Sequence, residues 1–154
     1  MRVAIGADHA GFELKDIIKQ TLDELRVAYK DFGTDSDESV DYPDYAAKVG
    51  RGVAAGEFDR GILVCGTGIG MALAANKIAG VRAAPVVDLE SARLAREHNN
   101  ANVVSIGARM HPEEEATRFV EVFLNTSYSG AERHNRRIAQ ITSYETIGQL
   151  PPLP

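Results

Sequence analysis

The chain has 154 residues, 44% apolar and 25% charged, which suits one soluble domain; a chain of this size buries roughly 70% of its unfolded surface. Its single cysteine excludes an internal disulfide and a thiolate zinc site, and no run of about 20 apolar residues is present to span a membrane. The net charge of -5 argues against nonspecific binding to nucleic acid or an anionic membrane, with Arg133, His134, Arg136 and Arg137 as a local basic exception.

RVAIGA (2–7) reads as a strand, entered from the first residues with no apolar signal region, so a cytoplasmic location is expected. Leu14, Ile17, Ile18, Leu22 and Leu25 then recur at helical spacing. A short strand near 28–32 ends at Gly33, and the polar stretch 34–41 reads as a loop. Pro43 suits the first turn of a helix over about 43–55. GILVCG (61–66) is a short continuous apolar run, as expected of a strand buried on both faces. A turn from Gly66 to Gly70 leads into a helix that runs to Gly80. VRAAPVV (81–87) reads as a strand that Pro85 weakens or confines to an edge. Asp88 can cap a helix ending near His98, and NVVSIGA (102–108) is a fifth strand. Pro112 and three glutamates open another helix, a last one covers about 130–146, and the tail QLPPLP is expected to fray. Strands alternating with helices predict a single domain, 1–154, built on a parallel sheet covered on both faces. Sites in such sheets lie beyond the C-terminal strand ends, which singles out Asp8, His9, the 65–70 turn, His98, Asn99 and Arg109.

CGTGIG (65–70) is the sharpest local signal. Its glycines permit close backbone approach and free N–H groups at a helix start favour an anion, although the same string also serves as a plain strand-to-helix turn. No Lys-Ser/Thr pair follows the last glycine, so it is not a nucleotide-triphosphate loop. The acidic residue at about the dinucleotide spacing, Asp88, opens a helix instead of ending a strand, which argues against a dinucleotide site. Cys65 opens the turn. A thiol near a helix N-terminus is a better acid, and its thiolate can remove a carbon-bound proton while neighbouring N–H groups hold the oxyanion. The alternative is a small buried core residue. Asp8 can equally cap a helix, and His98 sits at a helix C-terminus that favours its cation. Arg133 and Arg137 are four apart and share a helix face, as suits either a phosphate or a solvated surface.

Five separated motifs, GADHAGFELK (6–15), DYPDYA (41–46), GILVCGTGIGMALAANKIAGVRA (61–83), ARLAREHNNANVVSIGAR (92–109) and RHNRRI (133–138), stand in the order of one family. From Met1 to about Ser143 the chain resembles ribose-5-phosphate isomerase B, a family that includes allose- and galactose-6-phosphate isomerases. The resemblance implies a three-layer α/β/α sandwich, Rossmann-like, with five parallel strands and an additional C-terminal helix. It implies Cys65 as the base that shuttles a proton between C1 and C2. Gly66, Gly68, Ile69 and Gly70 correspond to the loop that stabilises the cis-enediolate, and Thr67 to a residue assisting proton movement between the substrate oxygens. Asp8 and His98 resemble the ring-opening pair. His9, Arg109, Arg133 and Arg137 match phosphate positions, and Tyr42 and Asn99 match substrate contacts. Relatives without the cysteine carry glutamate where this chain has Met71, which leaves Cys65 as base. The resemblance also implies no metal, no cofactor, a phosphorylated sugar as substrate, and a homodimer or homotetramer in which last-helix arginines reach the partner's site. The alternatives are an isomerase of a six-carbon sugar phosphate, a non-catalytic sugar-phosphate sensor, and a nucleotide-binding module.

Overall fold

In the computed structural model, which describes Met1–Pro154, the strands are β1 (Arg2–Ala7), β2 (Ala28–Asp31), β3 (Arg60–Cys65), β4 (Ala83–Pro85) and β5 (Val103–Gly107). The helices are α1 (Phe12–Glu24), α2 (Tyr42–Ala54), α3 (Ile69–Ala75), α4 (Leu89–Glu97), α5 (Glu113–Asn125) and α6 (Glu132–Ile147). All strand pairs are parallel, in the order β2-β1-β3-β5-β4. Parallel neighbours need crossovers, and the helices supply them, so both faces of the central strands are covered and β3 is apolar throughout from Ile62 to Cys65.

On one face Leu14, Ile18 and Leu22 of α1 pack with Ala92 and Ala95 of α4 and with Phe119, Val120 and Phe123 of α5 on Ile5, Ile62, Val104 and Ile106. On the other, Ala46, Val49 and Val53 of α2 and Met71, Ala72 and Ala75 of α3 cover Ala4, Leu63, Cys65 and Val103. This is the expected three-layer sandwich. Helix α6 lies outside it and buries only His134. No helix is long and apolar enough to cross a membrane.

Two expectations change in detail and a third holds. Helix α3 ends at Ala75 instead of reaching Gly80, because the Asn76 side chain leaves the helix to accept the Ala83 N–H and donate to the Ala83 carbonyl, both at 2.8 Å. The fourth strand shrinks to Ala83–Pro85 and lies at the sheet edge, where a proline costs no ladder bond. Asp88 caps α4 as expected: its Oδ1 accepts the Ser91 N–H at 2.6 Å while Ser91 Oγ accepts the Asp88 N–H.

β1 adjoins both β2 and β3, so the chain runs outward in opposite directions from these two strands. Their C-terminal ends form the switch point at which open α/β sheets bind ligands. Ala7 pairs with Val64 and Cys65 with Gly107, so Asp8, the 66–70 turn and Arg109 leave the sheet at one edge.

Candidate active site

The turn after β3 is held from three sides. Ala108 N–H donates to the Cys65 carbonyl at 2.8 Å and Arg109 N–H to the Gly66 carbonyl at 3.0 Å, which fixes the β5 end beneath it. Gly68 is left-handed (φ 77°), and its N–H reaches back to donate to Cys65 Sγ at 3.2 Å. Ile69 N–H turns to Thr67 Oγ1 at 3.3 Å. The N–H groups of Gly66, Thr67, Gly70 and Met71 have no acceptor within the chain. A sulfur that accepts an N–H, set beside free donors, is an arrangement that can hold negative charge on sulfur and on a nearby oxygen.

Around this turn stand most of the residues singled out by sequence. A Cβ on Gly66 would lie 3.3 Å from Arg109 Nη1, and one on Gly70 2.8 Å from the Tyr42 ring, so both side chains lie directly against the glycines. Asp8 is buried; its Oδ1 accepts the N–H groups of Ala10 and Gly11 at 2.9 and 3.1 Å, closing the turn ahead of α1, whose N-cap is Gly11 and has no side-chain bond. Its own N–H donates to the Val64 carbonyl at 3.2 Å. The bond that closes this loop on the next comes from His9, whose Nδ1 accepts the Val40 N–H at 3.2 Å. A neutral His9 then carries its proton on Nε2 as a donor. Sequence reasoning missed Gly11: a Cβ there would lie 2.6 Å from the Val64 carbonyl, and the pair Gly11-Phe12 at the helix start was the available signal.

His98 and Asn99 are placed elsewhere, which corrects their grouping with the strand C-termini. Arg82 Nε donates to the Asn99 carbonyl at 3.1 Å and the Asn100 carbonyl at 3.2 Å, tying these residues to the starts of β4 and β5. From Gly61↔Val103 to Cys65↔Gly107 is about 13 Å of strand, so His98 and Cys65 lie at opposite ends of the sheet within one chain. Arg133 and Arg137 join His98. The His98 and His134 rings are 4.3 Å apart, Arg133 Nε donates to His134 Nε2 at 3.2 Å, and Ser129 Oγ lies 2.9 Å from His134 Nδ1. Burial, then the charges of His98, Arg133 and Arg137, hold the His134 imidazole below its ordinary value, which keeps Nε2 free to accept from Arg133.

Cys65 is only 4% exposed, and none of the chain's concavities is lined by it. An open pocket over the sulfur is therefore absent from a single chain. The turn, with its unpaired N–H donors, forms a shelf beside the buried sulfur. The largest hollow, about 700 Å³, lies at the other end beside Lys77, Arg82, Asn99 and Tyr144. No group of three or more His, Cys, Asp or Glu side chains is arranged to hold a metal ion.

Residues 3–141 match the family model described as Ribose/Galactose Isomerase. The chain belongs to the ribose/galactose isomerase family. Among curated members, ribose-5-phosphate isomerase B of Escherichia coli is 46% identical over 144 residues, covering 94% of this chain and 96% of that one. Among solved members, the Clostridium thermocellum ribose-5-phosphate isomerase B superposes with a TM-score of 0.94 at 42% identity, covering 97% of this chain and all of that one. The Mycoplasma genitalium ribose-5-phosphate isomerase B, solved with bound ribulose-5-phosphate, gives 0.89 at 42% identity, covering 94% of this chain and 95% of that one. The family's isomerases thus share both this chain's sequence and its three-layer fold over nearly its whole length.

Proposed function

We propose that the chain interconverts ribose 5-phosphate and ribulose 5-phosphate through a cis-enediolate, with Cys65 as the base. The observation that carries this reading is the Cys65 sulfur accepting the Gly68 N–H beside free N–H donors, at the switch point of a ribose/galactose isomerase fold. Asp8 and His98 open the sugar ring. The thiolate then takes the C2 proton of the open-chain aldose. The electron pair moves into the C1–C2 bond, and the charge settles on the C1 oxygen facing the N–H groups of the 66–70 turn. Thr67 assists transfer of the hydroxyl proton between the two oxygens, and return of the sulfur-bound proton to C1 gives the ketose. His9 and Arg109 hold the phosphate from one side. Arg133 and Arg137 of a second copy hold it from the other, and the same copy brings His98 and Asn99. A homodimeric site accounts for the bare shelf over Cys65 and for the placement of the second group at the far end of its own chain. The phosphate anchor supplies binding energy that positions C2 against sulfur.

The decisive experiment is Cys65→Ala assayed on ribose 5-phosphate, with allose 6-phosphate and galactose 6-phosphate run beside the wild type. Loss of turnover by about 10³-fold with an unchanged melting temperature is expected for removal of the proton-transfer base. Turnover within tenfold of wild type would eliminate the cysteine mechanism. A wild type faster on a six-carbon substrate would shift the assignment to that sugar.

A further inference from the structure

Ser105 stands in the middle of β5, fully buried, in a strand whose neighbours Val103, Val104 and Ile106 are equally buried and apolar. A hydroxyl buried in such surroundings is costly unless it is bonded, and a serine adds little packing in exchange. Its Oγ donates to the Gly68 carbonyl at 2.6 Å. That carbonyl otherwise accepts only the Ala72 N–H, at 3.3 Å, in the first turn of α3. Gly68 is also the residue whose N–H holds the Cys65 sulfur. Both peptide planes flanking the Gly68 Cα are therefore fixed, one by the sulfur and the other by Ser105. With φ at 77° Gly68 is left-handed, which a glycine adopts freely among other conformations, so these bonds select this one orientation of the two planes.

We propose that Ser105 is a positioning residue for proton transfer: by anchoring the Gly68 carbonyl from beneath, its hydroxyl aims the Gly68 N–H at Cys65 and presents the free donors of the turn upward. This rests on the reading of Cys65 as the base. Ser105 touches no substrate. Without its hydroxyl the Gly68–Ile69 peptide keeps only two long bonds, Ala72 N–H to the Gly68 carbonyl and Ile69 N–H to Thr67 Oγ1, both at 3.3 Å, and the turn samples orientations in which the Gly68 N–H leaves the sulfur. The cost then falls on the chemical step, because the Ser105 hydroxyl bonds only the Gly68 carbonyl, while Arg109 is held independently through its N–H on the Gly66 carbonyl.

Cys65 is the chain's only cysteine, so its reactivity can be read without interference. Ser105→Ala and Ser105→Thr are compared with wild type in kcat, KM, melting temperature and the rate of Cys65 alkylation by iodoacetamide at pH 7. Ser105→Ala should stay folded, lose about tenfold in kcat with KM within twofold, and alkylate about fivefold more slowly, as expected when a donor to a charged acceptor is misaligned. Ser105→Thr keeps the hydroxyl on a β-favouring residue and should recover most of both losses. A folded Ser105→Ala with kcat within twofold of wild type and unchanged alkylation overturns the proposal. A folded threonine variant as slow as the alanine variant overturns it as well, since the hydroxyl is then not the agent. Slowed alkylation with full kcat separates the two ideas: Ser105 then positions the sulfur, and it is the cysteine-base reading that fails.

Discussion

Gly68 is where backbone conformation and chemistry meet most tightly. It needs a positive φ, its N–H holds the proposed base, and its Cα sits so close to β5 that a Cβ would lie 3.0 Å from both the Gly107 nitrogen and the Ile106 carbonyl carbon. Those are main-chain atoms of a paired strand and cannot retreat without breaking the β3–β5 ladder. Gly68→Ala therefore adds the left-handed penalty of about 1–2 kcal/mol and displaces the turn upward. Its melting point should drop by several degrees while kcat falls about 10²-fold, the cost of misplacing an oxyanion donor. A steady-state assay paired with a thermal melt checks this. A variant that melts early yet keeps wild-type kcat would show that the turn does not need its present orientation.

At the level of elements, the loop from β2 into α2 is carried by a buried cation. Lys15 of α1 is 1% exposed, donates to the Thr34 carbonyl at 2.6 Å and pairs with Asp31 at 2.8 Å. The same loop closes on β1 through Ala7 N–H to the Gly33 carbonyl and Thr34 N–H to the Ala7 carbonyl, one residue before Asp8. Burial pushes the Asp31 carboxyl up, but bonds from Lys15, the Gly33 N–H and Lys19 outweigh it and leave the group below its ordinary value. A depressed carboxyl stabilises the fold above its unfolded value and loses that contribution as pH falls through the folded one. Lys15→Met should cost about 2 kcal/mol at pH 7, because the buried Thr34 carbonyl loses its charged donor and Asp31 loses one of three, keeping Lys19 and the Gly33 N–H. The gap to wild type should narrow below about pH 3.9, where Asp31 takes a proton in the unfolded chain and then in the folded one. Urea midpoints at pH 7 and pH 3 test both statements, and a constant gap contradicts the pairing.

Sequence pattern located the elements well where one signal dominated. Apolar runs marked the strands, most clearly β1, β3 and β5, and Cys65 to Gly70 marked the turn because its glycines stand just after a buried run. Direction was harder to read. Helix α4 begins beside the strand C-termini at Asp88, and nine residues at about 1.5 Å each carry His98 back to the opposite edge. Ser105 was illegible for another reason: its partner is 37 residues away, and a lone serine in an apolar strand has no local signature.

For the whole molecule, the distribution of the proposed site residues between the two ends of one sheet has a direct consequence. Asp8, His9, Tyr42, Cys65 and Arg109 stand at one edge, and His98, Asn99, Arg133 and Arg137 at the other. Helix α6 hides only His134 and leaves Ile141, Tyr144 and Ile147 exposed, while Ile69 and Leu73 of α3 are exposed beside the shelf. Under the two-copy site proposed above, a twofold axis exchanges the edges, so each site takes one group from each chain. Two inactive variants altered at opposite edges should then rescue one another. Cys65→Ala and His98→Ala are each expected to be nearly inactive alone. In a mixed dimer one site receives both changes and the other receives neither. Random exchange makes half the dimers mixed, each with one of two sites intact, so an equimolar mixture should recover about a quarter of wild-type activity. Mass measurement of the intact assembly establishes whether mixed dimers have formed. Mixed dimers with no recovered turnover would mean that each site is complete within its own chain, and would return His98 to a structural role beside His134.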